Sequence, residues 1–195
     1  MRFASCIALC LASGLGFVGF AYAADPDLSS APTLPPNSTF SYDPNRFEIR
    51  GGFFDSTHGP DSGTADANGE VVFPKIFSAP GWQDVLIPRL SVGGMGSLAA
   101  GRTSYAYAGA LWTVNFDRYF SEIFFGGSVH SGPPDQSYLG CQYLYHTGLN
   151  LGYRFDQNWS VMATFDHVSD GEPVLSDCPS NRGLNLFGVR VGYSF

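Results

Sequence analysis

A histidine and a serine stand two residues apart near the end of an alternating segment. Residues two apart on a strand share a face, so His167 and Ser169 follow a largely apolar run that begins at Trp159. An imidazole beside a hydroxyl can act as a general base and a nucleophile. The alternative interpretation is that the two residues only mark a polar strand end before a turn.

The remainder of the chain predicts β structure around this segment. The composition combines 24 Gly, 17 Phe and 10 Tyr with only 14% charged residues. Strands are predicted at residues 46–55, 69–77, 89–98, 103–117, 120–130, 140–156, 159–169 and 184–195, and a loop at 57–68. Short turns at 101–102, 118–119 and 157–158 indicate hairpins, and eight consecutive strands indicate an up-and-down barrel.

The alternation of side chains indicates which kind of barrel this is. In residues 143–155 and 187–195 one face is apolar with aromatic ends, and the other is polar and rich in Gly. Aromatic ends on an outward apolar face are typical of membrane girdles, and Gly suits a crowded interior. We therefore expect an all-β fold, an eight-stranded antiparallel up-and-down transmembrane β-barrel, with Leu149, Leu151, Val189 and Val191 outside. A lipocalin-like soluble barrel is the alternative.

The start of the chain predicts export. Arg2, an apolar run at 7–20 and the small-x-small site Ala21-Tyr22-Ala23 are typical of a secretory signal at residues 1–23. A membrane anchor is the alternative, but the apolar run is short for a full span. Residues 24–44, rich in Pro and Ser, are predicted to form a flexible lead, and residues 45–195 the barrel.

The net charge and the cysteine spacing argue against some classes of function. The net charge of −7 argues against a nucleic-acid binder, which needs a basic patch. Cys141 and Cys178 remain after loss of the signal, so a disulfide between them is predicted, with two free thiols as the alternative. Neither cysteine has metal-ligand spacing, and no metal or cofactor is expected.

The predicted topology brings a third polar residue to the His-Ser pair. The strand from Trp159 and the last strand are joined by residues 171–183, so they should be neighbours. His167 and Ser169 end the first strand on its apolar face, and Asn185 begins the second on its apolar face. The three are expected together on the outside of the barrel, at one rim of the apolar band. A hydrolytic site there requires a membrane lipid as its substrate.

Several stretches resemble one bacterial enzyme family, the lipid A 3-O-deacylases (PagL-like), which are eight-stranded outer-membrane barrels. They are His167-Val168-Ser169-Asp170-Gly171, residues 181–185 and 188–195, and the middle-strand segments 109–112 and 125–130. The resemblance implies that Ser169 is the nucleophile and His167 the general base. The substrate would be the 3-hydroxyacyl ester at the 3-position of lipid A, in the lipopolysaccharide of the outer leaflet. It also implies an outer-membrane location among outer-membrane lipids and no cofactor.

Two residues differ from the family pattern, and both are expected to affect the rate of ester hydrolysis. The family usually has Asn after the serine as an oxyanion donor, where this chain has Asp170, a carboxylate that cannot donate when ionised. Backbone N–H groups of Gly171 and Glu172 would then form the rest of the oxyanion hole. The acid that orients the histidine in the family is Asn185 here, which predicts reduced activity.

Other interpretations stay open at this point. Asp170, Glu172 or Asp177 could orient His167 in place of Asn185. A non-enzymatic barrel, structural or adhesive, is the alternative function. The sequence does not decide between a single barrel and a homodimer.

Overall fold

The structure is a computed structural model that describes residues 40–59, 61–131, 139, 141–170 and 183–195. These belong to one compact unit, Thr39–Phe195. A second unit, Met1–Ser38, lies outside the described residues, as do the predicted signal at 1–23 and residues 24–39 of the predicted lead at 24–44. Among the described residues, no helix is long and apolar enough to cross a membrane.

Eight antiparallel strands form a closed barrel, which confirms the predicted fold. They are β1 (Glu48–His58), β2 (Ala65–Val72), β3 (Arg89–Ser97), β4 (Tyr105–Phe116), β5 (Tyr119–His130), β6 (Tyr143–Arg154), β7 (Trp159–Ser169) and β8 (Leu184–Ser194). Each strand pairs with the next along the chain, and β1 pairs with β8 to close the sheet. Closure leaves no unpaired strand edge, as a barrel in lipid requires.

The outer face of the barrel is apolar and the interior is polar. Leu149, Leu151, Val189 and Val191 are between 41% and 58% exposed, which confirms their predicted outward position and excludes the lipocalin-like alternative. Aromatic pairs such as Trp159–Tyr193 and Tyr119–Tyr153, with ring centroids 4.8 and 5.1 Å apart, lie at one end of this face. This pattern is that of a transmembrane barrel with an aromatic girdle.

Charged side chains inside the barrel are paired with charges of opposite sign. The guanidinium of Arg50 donates to both carboxylate oxygens of Glu122, at 2.7 and 2.9 Å. Arg190 donates to Asp166 at 2.8 Å. Buried charges are tolerated when they are paired in this way, and the removal of one partner typically costs about 3–5 kcal/mol. The interior therefore combines paired charges with a cluster of buried apolar side chains that includes Phe54, Met95 and Phe124.

The two ends of the barrel differ in their loops. We call the end that carries the loops 59–64, 98–104, 131–142 and 170–183 the upper rim. The opposite end, the lower rim, carries the tight turns 117–118 and 155–158 and the longer connection 73–88. Outer-membrane barrels have short periplasmic turns and longer extracellular loops. Three of the four upper loops exceed both tight turns by several residues, so we expect the upper rim to face the outside, although the lower-rim connection 73–88 is the longest of all.

Strand β2 differs most from the sequence-based prediction, and most of the other strands have an end that differs by one to three residues. Strand β2 is Ala65–Val72 instead of 69–77, so part of the predicted loop at 57–68 is strand. Asp66 and Asn68, which lie in the predicted loop, are strand residues whose side chains are buried in the barrel interior. Pro74 cannot donate to a strand ladder, and the chain leaves the sheet before it. A 3-10 helix at Gly81–Leu86, in the lower-rim connection, was not predicted.

Candidate active site

His167 and Ser169 lie on the outer face of β7, at the upper rim. The strand alternates along its length, with Asp166, Val168 and Asp170 buried and the two candidate residues half-buried. Directly below them on the same face, the rings of Phe165 and Phe187 pack 4.8 Å apart. The candidate pair therefore stands at the upper edge of the apolar band.

Asn185 contacts His167 across the β7–β8 ladder. The two residues are directly paired, and the imidazole Nδ1 lies 2.5 Å from the Oδ1 of Asn185. Since an amide oxygen only accepts, Nδ1 carries the proton of this hydrogen bond. A neutral imidazole held in this way presents an unprotonated Nε2, the form in which it can take a proton from a hydroxyl.

Ser169 shares the outer face with His167 but is not hydrogen bonded to it in this structure, where both residues are described. Residues two apart on a strand are about 6.6 Å apart along it, and their side chains point in parallel. The strand ends at Ser169, the one place where it can bend to bring the hydroxyl to Nε2. In the absence of substrate, catalytic hydrogen bonds are often long, and they tighten when substrate binds.

Gly183 packs against both candidate residues. It has a φ of +49°, and a Cβ built on it would lie 3.1 Å from Cε1 of His167 and 3.7 Å from Cβ of Ser169. A side chain at this position would press on the imidazole. The bare backbone of Gly183 thus forms one wall of the site. From the sequence, Gly183 was only one member of the stretch at residues 181–185, and no role was predicted for it.

Threonine hydroxyls on the flanking strands hold the backbone of the site. Thr147 on β6 donates to the carbonyl of His167 at 3.4 Å, and Thr57 on β1 donates to the carbonyl of Asn185 at 3.3 Å. The β1–β8 register shifts between Ser56 and His58, beside Asn185. Bulges of this kind re-aim side chains next to functional sites. None of these contacts was predicted from the sequence.

The predicted oxyanion region is described only at Asp170. Its side chain is 2% exposed, in the buried phase of the β7 alternation, and it immediately follows Ser169. Gly171 and Glu172 lie outside the described residues, as does Asp177. Cys141 is disulfide-bonded. Its predicted partner, Cys178, lies outside the described residues, so that pairing stays a prediction.

Among the described residues, no group of three or more His, Cys, Asp or Glu side chains could hold a metal ion. The described groups of the candidate site are the imidazole, the hydroxyl and the amide that orients the imidazole. This set can carry out nucleophilic acyl transfer, provided that the hydroxyl reaches Nε2.

Comparison with known proteins gives a family and a fold. A model of the lipid A 3-O-deacylase (PagL) family matches residues 81–194, more than half of the chain, including all three candidate residues. A search of curated proteins found no match.

Three solved structures are similar to the barrel. The N-terminal β-barrel domain of Pseudomonas aeruginosa OprF has 14% identity and a TM-score of 0.54, over 77% of this chain and 98% of that one. The outer membrane enzyme PagL has 15% identity and a TM-score of 0.56, over 74% and 97%. A de novo designed transmembrane β-barrel has 12% identity and a TM-score of 0.51, over 78% and 97%. At these identities the likeness shows the fold alone.

Proposed function

This chain belongs to the lipid A 3-O-deacylase (PagL) family, and on that premise we propose that it hydrolyses the ester-linked 3-hydroxyacyl chain at the 3-position of lipid A. The family and the closed barrel indicate the outer membrane as its location. The substrate would then lie in the outer leaflet, in the same membrane as the barrel. The products are a free 3-hydroxy fatty acid and lipid A with one acyl chain fewer.

One observation carries the proposal. The oriented imidazole of His167 and the hydroxyl of Ser169 face outward at the upper edge of the apolar band, above Phe165 and Phe187. A lipid in the outer leaflet presents its ester groups at the boundary between headgroup and hydrocarbon. A hydrolytic pair on the outer wall at this height therefore meets an ester without extracting the lipid from the membrane.

The reaction follows the two steps of acyl transfer to a serine. The Oγ of Ser169 attacks the ester carbonyl while Nε2 of His167 takes the hydroxyl proton. The tetrahedral intermediate then expels the sugar alkoxide, which takes that proton from the imidazolium, and the acyl chain stays on Ser169. Water deprotonated by Nε2 attacks the acyl-enzyme, and the fatty acid leaves as the serine regains its proton.

Asn185 positions the imidazole throughout these steps. Its Oδ1 holds the Nδ1–H and so fixes the ring in the tautomer with an open Nε2. An amide does not balance the charge of the imidazolium that forms, as a carboxylate does. Asp170, which immediately follows Ser169, cannot donate to the oxyanion when it is ionised, as the amide usual in the family can. Both features favour a slow enzyme.

The same observations favour one other function. A non-enzymatic barrel, structural or adhesive, would also tolerate an amide at Asn185, a carboxylate at Asp170 and a serine that is not hydrogen bonded to the histidine. The two functions differ in one measurable product, the deacylated lipid A.

The deciding experiment is mass spectrometry of lipid A from membranes of cells that express the chain. Wild type is expected to remove one 3-hydroxyacyl chain, and Ser169→Ala and His167→Ala are each expected to abolish the loss. Ser121→Ala is the matched control, because Ser121 is a half-buried serine on the outer face of β5 near the lower rim. Heat-dependent gel mobility verifies that each variant forms a barrel.

The double variant tests whether the two residues act as one unit. If Ser169 supplies the nucleophile and His167 its base, the double variant is no slower than the slower single variant. Full activity in Ser169→Ala would refute the nucleophile. Intact lipid A after expression of a folded wild type, together with no fatty acid released by the purified barrel in micelles, would favour the non-enzymatic barrel.

A further inference from the structure

The lower-rim connection, residues 73–88, carries a cluster of exposed apolar side chains. Ile76 is 88% exposed, Phe77 64%, Trp82 73% and Leu86 62%, and Val85 is exposed as well. We call these five residues the lower patch. Exposed apolar side chains concentrated in this way mark a surface that contacts a membrane or another protein.

The connection is folded by its own polar contacts. Nζ of Lys75 donates to the backbone carbonyl and to the carboxylate of Asp84, both at 2.6 Å, and the N–H of Ala79 donates to the same carboxylate at 3.1 Å. Lys75 and Asp84 are the only charged residues in the stretch 73–88, so the connection has no net charge. Charges that are paired and hydrogen bonded can lie next to hydrocarbon at far lower cost than free ones.

The outer wall of the barrel holds both ends of the connection. Trp112 lies on the outer face of β4, and its indole Nε1 donates to the backbone carbonyl of Leu86 at 3.0 Å. The 3-10 helix that ends at Leu86 therefore contacts β4 from outside. At the other end, the ring of Phe73 packs edge-on against that of Phe47, with centroids 5.1 Å apart. The lower patch is thus continuous with the apolar outer face of the barrel.

This continuity selects a lipid surface as the partner. The outer face contacts lipid, and its aromatic pair Trp159–Tyr193 lies at the lower rim. A leaflet that covers the outer face down to these rings also reaches Trp112 and the connection held against it. Tryptophan is enriched at this boundary, where its ring meets acyl chains and its N–H meets polar groups.

We propose that the lower-rim connection is an interfacial membrane anchor, whose lower patch inserts into the phospholipid leaflet at the lower rim. The anchor lies in the plane of the interface beside the barrel, and its apolar side chains enter the boundary between headgroups and acyl chains. This role explains why the longest connection lies on the rim that carries the tight turns. The inference does not depend on the deacylase activity.

The depth of Trp82 in the membrane tests the proposal, because the chain has three tryptophans, Trp82, Trp112 and Trp159. The purified barrel is reconstituted into vesicles of phosphatidylethanolamine and phosphatidylglycerol, with acyl chains brominated either near the glycerol end or near the methyl end. The emission of Trp82 is the difference between Trp159→Phe and the Trp82→Phe/Trp159→Phe double variant. The emission of Trp159, the reference for the girdle, is the difference between Trp82→Phe and the same double variant.

Trp82 is expected to show the same depth profile as Trp159. Bromines near the glycerol end should quench both residues about twofold more than bromines near the methyl end, and aqueous iodide should quench neither strongly. Strong quenching of Trp82 by iodide, with no quenching by either brominated lipid, would overturn the proposal. The lower patch would then lie in water, open to a protein partner.

A second variant tests whether the lower patch acts as one surface. Phe77→Ser/Leu86→Ser removes two mostly exposed side chains, and it should lower the quenching of Trp82 by brominated lipid about twofold and raise its quenching by iodide. Leu98→Ser is the matched control, since Leu98 is 63% exposed in an upper loop, and it should change neither reading. Unchanged quenching of Trp82 in a folded double variant would refute the anchor. If the double variant fails to fold, the depth of Trp82 in the conservative Trp→Phe variants decides.

Discussion

Across β7 and β8, Nδ1 of His167 donates to Oδ1 of Asn185 at 2.5 Å. The contact joins a directly paired residue on each strand, so the ladder itself sets the distance between the two side chains. The sheet therefore fixes the position of His167, the residue that would activate Ser169. Ser169 itself lies at the end of its strand. The histidine is the preorganised half of the candidate site, and the serine is the half that must move.

Asn185→Asp should raise the rate of lipid A deacylation. Aspartate has the same shape as asparagine, so the contact to Nδ1 is retained while a charge is added that balances the imidazolium. The reverse change in a Ser-His-Asp triad costs about 10⁴ in kcat, so an increase of about tenfold or more is expected here. The measurement is kcat of the purified variant in micelles.

Asn185→Leu is the companion variant, because it removes the acceptor and should slow the enzyme below wild type. An unchanged rate in a folded Asn185→Asp barrel would contradict the positioning role assigned to Asn185.

Gly183→Ala should lower kcat by about a hundredfold, since a displacement near 1 Å in a catalytic group can cost that much. The added Cβ would meet Cε1 of His167 at 3.1 Å. The left-handed backbone also costs an alanine about 1–2 kcal/mol. Gly101→Ala separates these two effects, because Gly101 has a φ of +74° at the upper rim with nothing within 4 Å of an added Cβ.

Both glycine variants should lose similar stability, measured as the midpoint of unfolding in micelles, but only Gly183→Ala should lose activity. Equal activity in the two variants would show that Gly183 does not shape the site.

Much of the fold was predictable, because the polar interior and apolar exterior make strands alternate. The segment Trp159–Ser169 was predicted with the bounds of β7, and the outward position of Leu149 followed from its face. Ala65–Asn68 was missed because polar residues suggest a loop until the interior is known to be polar.

The residues of the site were predictable from the sequence, but the contacts that hold them in place were not. Alternation placed His167 and Ser169 on one face, and the connection between β7 and β8 brought Asn185 to them. The role of Gly183 depends on a positive φ and on packing against two side chains, which its residue type alone does not reveal. The threonine contacts to the site backbone come from β6 and from β1, and β1 is distant from the site in sequence.

The lower-rim connection offers a pH-dependent contact outside the membrane-spanning strands. Nζ of Lys75 donates to the carboxylate of Asp84 at 2.6 Å, and this hydrogen bond, with another from the N–H of Ala79, lowers the pKa of Asp84 below its ordinary value of 3.8. The folded connection therefore favours the ionised carboxylate. Its contribution to stability is complete above the pKa of the unfolded chain and is lost as the pH falls through the lower folded value.

Lys75→Gln should raise the pKa of Asp84 toward 3.8, measured by NMR titration of the side-chain carboxyl carbon. A second test uses the fact that Lys75 is the sole lysine of the chain. Asp84→Asn should speed cleavage by a lysine-specific protease at neutral pH, because the side chain is released from its partner. An unchanged pKa in Lys75→Gln would show that the contact does not persist in solution.

Asp170→Asn should raise kcat by about tenfold or more. Asp170 is buried immediately after Ser169, where an ionised carboxylate accepts hydrogen bonds only and repels the charge that develops on the oxyanion. Asparagine has nearly the same shape and adds a donor, and the loss of one such donor in other hydrolases costs about 10²–10³ in kcat. The measurement is the rate of fatty acid release by the purified variant.

Asp66→Asn is the matched control, because Asp66 is a buried carboxylate at the upper rim of β2, which does not pair with β7. If wild type is fast and Asp170→Asn slows it without loss of stability, the oxyanion argument is wrong, and Asp170 acts as the acid that orients His167.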